Sequence, residues 1–176
     1  MSRYARVAEQ DHIDRFLEFF GSRLTGVDLV VEGIVDRISG LNRRLHREMN
    51  ETIEDFGLNY GEFKVLGTLW RAGEPNRMSP GHLARIEELS TGAMTNRLDR
   101  LEEAKLVRRE PDPADRRGVQ VVLTDKGRQT WEDAVAAQAK KEAVVASSLS
   151  EREKQQLTNL LRKLMLAYEK LEREKG

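Results

Sequence analysis

Residues 79–124 read SPGHLARIEELSTGAMTNRLDRLEEAKLVRREPDPADRRGVQVVLT. The stretch contains two short helical segments, which begin at the capping residues Ser79 and Ser90. Two runs rich in β-branched residues follow, one on each side of the turn EPDPADRRG. The order helix, turn, helix and hairpin is typical of a winged helix-turn-helix, in which one helix enters the DNA major groove and the hairpin reaches the backbone or the minor groove. We therefore predict a mainly α fold with a small β-hairpin wing, embedded in a helical dimerisation domain.

The second helical segment, residues 90–104, has the pattern of a recognition helix. Its apolar residues fall on one side, and no acid occurs from Ser90 to Leu98. On the other side Asn96 can pair with adenine, an arginine can reach guanine or phosphate, and small residues allow close approach. The predicted DNA-binding residues here are Ser90, Thr91, Gly92, Ala93, Thr95, Asn96, Arg97 and Arg100. The alternative interpretation is an ordinary solvated helix face.

The predicted wing ends in the sequence Asp115, Arg116, Arg117 and Gly118, within a turn that two prolines stiffen. Arginine at the tip of a hairpin suits a narrow, electronegative minor groove. Asp115 would pair with one guanidinium and fix its direction. An ordinary charged hairpin is the alternative, but a wing that follows a candidate recognition helix favours DNA binding.

The flanking segments are predicted to be helical and to form dimer contacts. We expect helices at residues 11–24 and 27–55, and two more after Thr124. The long helix carries one narrow apolar stripe, which indicates a dimer interface; the alternative is a core helix of a monomeric bundle. The stripe consists of Ile34, Ile38, Leu41, Leu45, Met49 and Ile53. The predicted domains are 1–57 (dimerisation), 58–123 (DNA binding) and 124–176 (dimerisation).

Between the long helix and the two short ones, the local signals predict one more helix. Asn59 and Glu62 have the spacing of a capping box. We expect residues 73–78, GEPNRM, to form a loop. The predicted inward-facing residues of this region are Phe63, Leu66, Leu69, Trp70, Leu83, Ala84 and Ile86.

Composition restricts the classes of function. The 176 residues include 30 basic and 30 acidic side chains, so DNA binding must depend on local charge and not on net charge. The absence of cysteine excludes disulfides and thiolate chemistry, and the three histidines lack ligand spacing. No phosphate-binding loop or nucleophile motif is present, so we expect no enzyme activity, metal or cofactor. No signal pattern or apolar run of about 18 residues occurs, which indicates a cytoplasmic protein without membrane contact.

Residues 58–127 resemble the MarR family of transcriptional regulators. The most specific part is the wing D-P-x-D-R-R-G, followed by a strand and L-T-x-x-G. The resemblance implies a homodimer that reads pseudo-palindromic double-stranded DNA with recognition helices about one helical turn apart. It also implies a small-molecule effector, often an aromatic or phenolic anion, for which the candidate contacts are Arg37, Arg44, Lys64 and Trp70.

Two subtypes of the family do not fit this sequence. The peroxide-sensing subtype needs a reactive cysteine, which the chain lacks. The urate-responsive subtype has a comparable extra N-terminal helix, but it uses a tryptophan there and an acid where Lys64 stands here. The expected function is a ligand-released repressor; the alternative is a DNA-binding or architectural module without an effector.

Overall fold

The computed structural model describes residues 9–21, 23, 26–113, 115 and 118–175; the side chain of Phe20 is outside this description. The helices are α1 (His12–Gly21), α2 (Leu29–Glu54), α3 (Tyr60–Arg71), α4 (Pro80–Ile86), α5 (Thr91–Glu103), α6 (Asp125–Ala146) and α7 (Glu151–Lys175). The strands are β1 (Arg77–Met78), β2 (Val107–Pro111) and β3 (Val119–Leu123). The chain divides into two compact units after Glu51, within α2.

The first unit pairs α1 with the N-terminal part of α2. Asp11 caps α1, because its Oδ1 accepts hydrogen bonds of 2.9 Å from the backbone N–H groups of Ile13 and Asp14. Arg37 on α2 forms ion pairs with Asp11 (2.9 Å) and Asp14 (2.5 Å). The hydrogen bond with the backbone of Asp14, helped by Arg37, lowers the pKa of Asp11 to about 2. Ile13 is a buried apolar side chain of α1.

The second unit contains the core. Residues spaced three or four apart on α3 and α5 bury one side of each helix against α4, the sheet and α6. The side chains that are 1% exposed or less include Ile53, Val65, Leu66, Leu69, Leu83, Met94, Leu98, Leu101 and Val121. Helix α5 is therefore fixed along its full length by apolar packing.

The sheet is antiparallel with the strand order β1-β3-β2. Strands β2 and β3 form the predicted hairpin, in register from Val107 opposite Leu123 to Pro111 opposite Val119. Strand β1 pairs Arg77 with Val122 and Met78 with Val121. The third strand corrects the prediction that residues 73–78 form only a loop: two residues are too short for a periodic signal, and their pairing depends on β3, which is distant in sequence.

Other predictions of burial need correction. Ile86 is 46% exposed and Trp70 39% exposed, so neither faces inward as expected. Ile53 does not continue the exposed stripe of α2, because it is fully buried in the second unit. Helical spacing predicts the side of the helix on which a residue lies. Whether that side is buried depends on the neighbouring element, which the spacing does not specify. The predicted end of the first helix at Leu24 lies outside the described residues; α1 ends at Gly21.

Large apolar side chains remain exposed on α2 and α7. On α2 they include Ile34, Ile38, Leu41 and Leu45, each 40% exposed or more. Helix α7 has no buried residue over Glu151–Lys175, although it is rich in leucine. In the part of the chain that the structure describes, no helix is both long and apolar enough to cross a membrane.

Candidate nucleic-acid interface

Helix α5 presents a polar side to solvent that matches the predicted recognition surface. Ser90 is its N-cap, with Oγ accepting a hydrogen bond from the N–H of Ala93 at 3.3 Å. The apolar residues Met94, Leu98 and Leu101 are buried on the other side. Six of the exposed residues coincide with predicted DNA contacts, and we call them the outer face of α5: Thr91, Gly92, Ala93, Thr95, Asn96 and Arg100. These residues are therefore accessible to solvent. The acids Asp99 and Glu103 are also exposed on this helix.

Two features of the outer face bear on base contact. Gly92 has open space around its Cα, because a Cβ added there would meet no atom within 4 Å. The Thr95 hydroxyl donates to the carbonyl of Thr91 at 2.9 Å, so its polar group is already used inside the helix. Thr95 is therefore suited to an apolar contact, such as that with a thymine methyl group.

Arg97 is half-buried and lies toward α3, unlike the other predicted contacts on this helix. Its guanidinium carbon lies 2.4 Å from the position that a Cβ of Gly61 would occupy. A Cβ at position 61 would require the Arg97 guanidinium to shift. The structure thus places Arg97 at the edge of the outer face, in contact with the first turn of α3.

Arg100 stays on the outer face, and its Nη1 lies 3.9 Å from Glu62 Oε1. Glu62 also completes the predicted capping box: its Oε2 accepts from the N–H of Asn59 (3.0 Å), and the Asn59 side chain accepts from the N–H of Glu62 (2.9 Å). A depression lies between α3 and α5. Its lining consists of Asn59, Glu62, Ala93, Asn96, Arg97 and Arg100.

A buried carboxylate joins α3 to the turn between α4 and α5. Glu87, the C-cap of α4, accepts a hydrogen bond from the Thr68 hydroxyl (2.7 Å), and its Oε2 lies 2.8 Å from Lys64 Nζ. Burial raises the pKa of Glu87, but the hydrogen bonds from Lys64 and Thr68 lower it more, with help from nearby positive charge. The carboxylate is therefore ionised at neutral pH.

Arg109 on β2 joins the wing strand to α5. Its guanidinium donates to Asp99 Oδ1 at 2.6 Å and to Glu102, and its backbone N–H donates to Glu102 Oε1 at 2.8 Å. Burial lowers the pKa of Arg109, but the hydrogen bonds to these two carboxylates raise it more, so the pKa lies above its ordinary value. Strand β2 of the wing and helix α5 are thus joined by the ion pairs of Arg109 with two acids.

The tip of the wing is only partly described. Gly118 donates its N–H to the carbonyl of Asp115 (2.8 Å), and Asp112 donates to the carbonyl of Gly118 (2.9 Å), which closes the turn between the strands. Arg116 and Arg117 lie outside the described residues. Their predicted contact with DNA stays a prediction.

The four candidate effector contacts occur in two places. Arg37 and Arg44 line one open depression of the first unit, where Arg37 is paired with two acids and Arg44 donates to the carbonyl of Gly40 at 3.2 Å. Lys64 and Trp70 lie on α3 in the second unit, about 120° apart around the helix. Trp70 donates to Glu132 (2.9 Å) and lies against Trp131, with ring centroids 4.8 Å apart. Among the described residues, no three acidic or histidine side chains form a metal site.

Sequence reasoning missed three residues of this region: Gly61, Glu62 in its contact with Arg100, and Arg109. Glycine at the second position of a helix and a charged residue on a strand are common, so their types alone carry no signal. The contacts join elements that are seven to about forty residues apart in the chain. The available signal was the basic residue Arg109 on the predicted strand, which could pair with the acids Asp99 and Glu102 of the preceding helix.

Comparisons with known proteins agree with this geometry. The MarR family model matches residues 58–119. The chain is 35% identical to the HTH-type transcriptional regulator PecS of Dickeya dadantii over 133 residues, which are 76% of this chain and 78% of PecS. It is 33% identical to the transcriptional activatory protein BadR of Rhodopseudomonas palustris, over 73% of each chain.

A solved structure shows the same fold. The crystal structure of YusO from Bacillus subtilis superposes with a TM-score of 0.71 at 28% identity, covering 81% of this chain and 99% of YusO. The proteins that match in sequence are regulators and not enzymes. The exposed polar face of α5, the hairpin wing and these relatives lead to one conclusion: the chain belongs to the MarR family of DNA-binding transcriptional regulators.

Proposed function

We propose that the protein is a homodimeric repressor that reads a pseudo-palindromic operator through the outer face of α5 and the wing. The observation that carries this proposal is the outer face itself. It is an exposed helical surface with an open Gly92 and the amide of Asn96, and it is fixed from behind by the buried side of α5. Asparagine can form two hydrogen bonds with adenine in the major groove.

The proposed dimer follows from the exposed apolar residues. On α7 the residues Leu157, Leu161, Leu164, Tyr168 and Leu171 alternate in spacings of four and three. This is the spacing of a helix that packs along another helix. Each of these side chains is 39% exposed or more in the single chain. A second copy offers the same stripe, so it would cover this surface by symmetry.

Repression is the simpler proposal for the direction of regulation. A dimer that occupies an operator blocks polymerase by occupancy alone, whereas activation needs a further surface that contacts polymerase. In vitro transcription from the operator-bearing promoter tests this: we expect less transcript as protein is added. More transcript would instead support activation, the direction of regulation stated in the name of the relative BadR, a transcriptional activatory protein.

The experiment that tests the DNA proposal combines operator selection with salt titration. A duplex selected from random sequence is compared with a scrambled duplex at several salt concentrations. Replacing Arg117 with Ala should weaken binding and reduce the slope of log affinity against log salt by about 1, because one phosphate contact is lost. Unchanged affinity at every salt concentration would contradict a wing contact.

We propose that Lys64 takes part in effector control. An anion that pairs with Lys64 would compete with Glu87, whose carboxylate is 2% exposed and would lose its cation. An unpaired buried charge is unfavourable, so binding at Lys64 would disturb the turn between α4 and α5. This links an anionic ligand to the position of the recognition helix.

A release assay tests this coupling. Phenolic and aromatic carboxylate compounds are titrated into the operator complex of the wild-type protein, of Lys64→Met and of the control Lys140→Met, whose lysine is exposed on α6. We expect the compound to release the wild type and the control. Lys64→Met, which itself removes the cation of Glu87, should bind the operator more weakly without any compound and should respond little when a compound is added. If no compound releases the wild type from the operator, the protein is better described as a DNA-binding or architectural module without an effector.

A further inference from the structure

Asp99 presents an electrostatic problem for the proposed recognition helix. It is 56% exposed and lies about 60° around α5 from Asn96, on the outer side. An unpaired carboxylate there would repel the phosphates of a duplex that approaches Asn96. The pairing of Asp99 therefore bears directly on DNA binding.

Arg109 provides the compensating charge from the wing strand. Its side chain is 28% exposed, less than the acids it joins, and its planar guanidinium contacts Asp99 and Glu102 at once. The backbone N–H of Arg109 adds a third bond to Glu102. Three residues further along, at Asp112, the chain leaves β2 for the tip of the wing.

We propose that Arg109 is a positioning residue for DNA binding, which neutralises Asp99 and holds the wing strand β2 to the recognition helix α5. The proposal rests on the proposed function, since it needs α5 to read DNA. The residue acts through Asp99 and the wing and does not itself touch the duplex. The outer face and the wing then approach DNA as one rigid surface.

A double-mutant cycle separates this role from a direct phosphate contact. The cycle consists of the wild type, Arg109→Gln, Asp99→Asn and the double variant, with affinity measured on the selected operator by fluorescence anisotropy. We expect Arg109→Gln to weaken binding about tenfold. Asp99→Asn should change the wild type little but restore most of the loss in the Arg109→Gln background. If Asp99→Asn changes affinity by the same factor in both backgrounds, or if Arg109→Gln binds as well as the wild type, the proposal is wrong.

Glu102 supplies the matched control. It pairs with the same guanidinium but lies about 120° from Asn96, so its charge is farther from the approaching duplex. Glu102→Gln should not restore operator binding to Arg109→Gln. Equal rescue by both acid substitutions would show that the loss reflects general destabilisation and would overturn the proposal.

Two further measurements keep the result interpretable. Circular dichroism gives the thermal midpoint of each variant; if Arg109→Gln is unfolded at the assay temperature, Arg109→Lys replaces it in the cycle, because lysine keeps the charge but cannot bridge both acids. The wild type is also tested on scrambled DNA. Failure to discriminate there would contradict the proposed function, whereas discrimination with an additive cycle contradicts only the role of Arg109.

Discussion

Asn96 and Gly92 are the residues on which base reading depends in this account. Asn96 is exposed near the middle of the outer face of α5, and Gly92 lies one turn before it. Both were identified from the sequence, because helical spacing separates them from Met94, Leu98 and Leu101 and those three are buried.

Replacing Asn96 with Ala should cost about 1–3 kcal/mol of binding free energy on the selected operator, because a bidentate contact to one base is lost. The measurement is the dissociation constant on operator and scrambled duplexes, with Gln129→Ala on α6 as an amide control. Equal losses on the two duplexes would assign Asn96 to the backbone and not to a base.

Gly92 allows stability and DNA binding to be separated. A Cβ there would meet no atom within 4 Å in the free protein, and leucine favours the helix over glycine by up to about 1 kcal/mol. Gly92→Leu should therefore keep or raise the thermal midpoint while it weakens operator binding. Full affinity in this variant would mean that DNA does not come close to the start of α5.

Glu87 predicts a specific dependence of stability on pH. Its pKa is lowered in the folded protein, so its stabilising contribution is present above the ordinary glutamate pKa and is lost as pH falls through the folded value. Glu87→Gln should be less stable than the wild type by about 1–2 kcal/mol at pH 7. The difference should shrink below about pH 4.5.

Urea denaturation between pH 7 and pH 3 measures this difference. The control is Glu88→Gln, which changes the exposed neighbouring residue. Curves for the wild type and Glu87→Gln that stay parallel over the whole range would contradict the ionic role of Glu87.

At the scale of elements, α6 closely approaches the backbone just before β2. A Cβ on Gly127 would lie 2.0 Å from the carbonyl oxygen of Leu106. The Thr124 hydroxyl, which caps α6, also contacts the carbonyls of Lys105 and Leu106 at 2.9 and 3.0 Å. This contact sets where the hairpin begins relative to the helices.

Gly127→Ala should destabilise the fold by about 2 kcal/mol or more, because the obstacle is backbone and cannot rotate away. The gain in helix propensity, up to about 1 kcal/mol, is too small to offset it. Thermal denaturation of this variant is compared with that of Gly81→Ala, where an added Cβ meets nothing within 4 Å. Equal stability of the two variants would contradict the close approach.

The elements themselves were largely predictable, and their partners were not. Capping residues gave the starts of α3, α4 and α5 correctly, since a cap is a local signal. Strand β1 was missed because its two residues are defined only by β3. Trp70 was wrongly predicted to face inward, because its surroundings come from α6. Arg97 lies toward α3, and no local pattern specifies either of these neighbours.

At the scale of the whole molecule, we predict that a second copy of the chain covers the exposed apolar residues of α7. Leu164→Glu places a charge in the middle of the proposed stripe and should shift the protein toward monomer in sedimentation velocity. Asn159→Glu, on the other side of α7, is the control and should remain dimeric. A wild type that sediments as a monomer at micromolar concentration would contradict the proposed dimer.

The most direct test of the central claim is a hydroxyl-radical footprint of the wild-type protein on its selected operator. The account predicts two protected half-sites related by a dyad, with centres about one helical turn, or 10 base pairs, apart. Asn96→Ala should remove sequence preference at one symmetric base pair in each half. A single protected half-site, or uniform protection along the duplex, would contradict a dimer that reads DNA through α5.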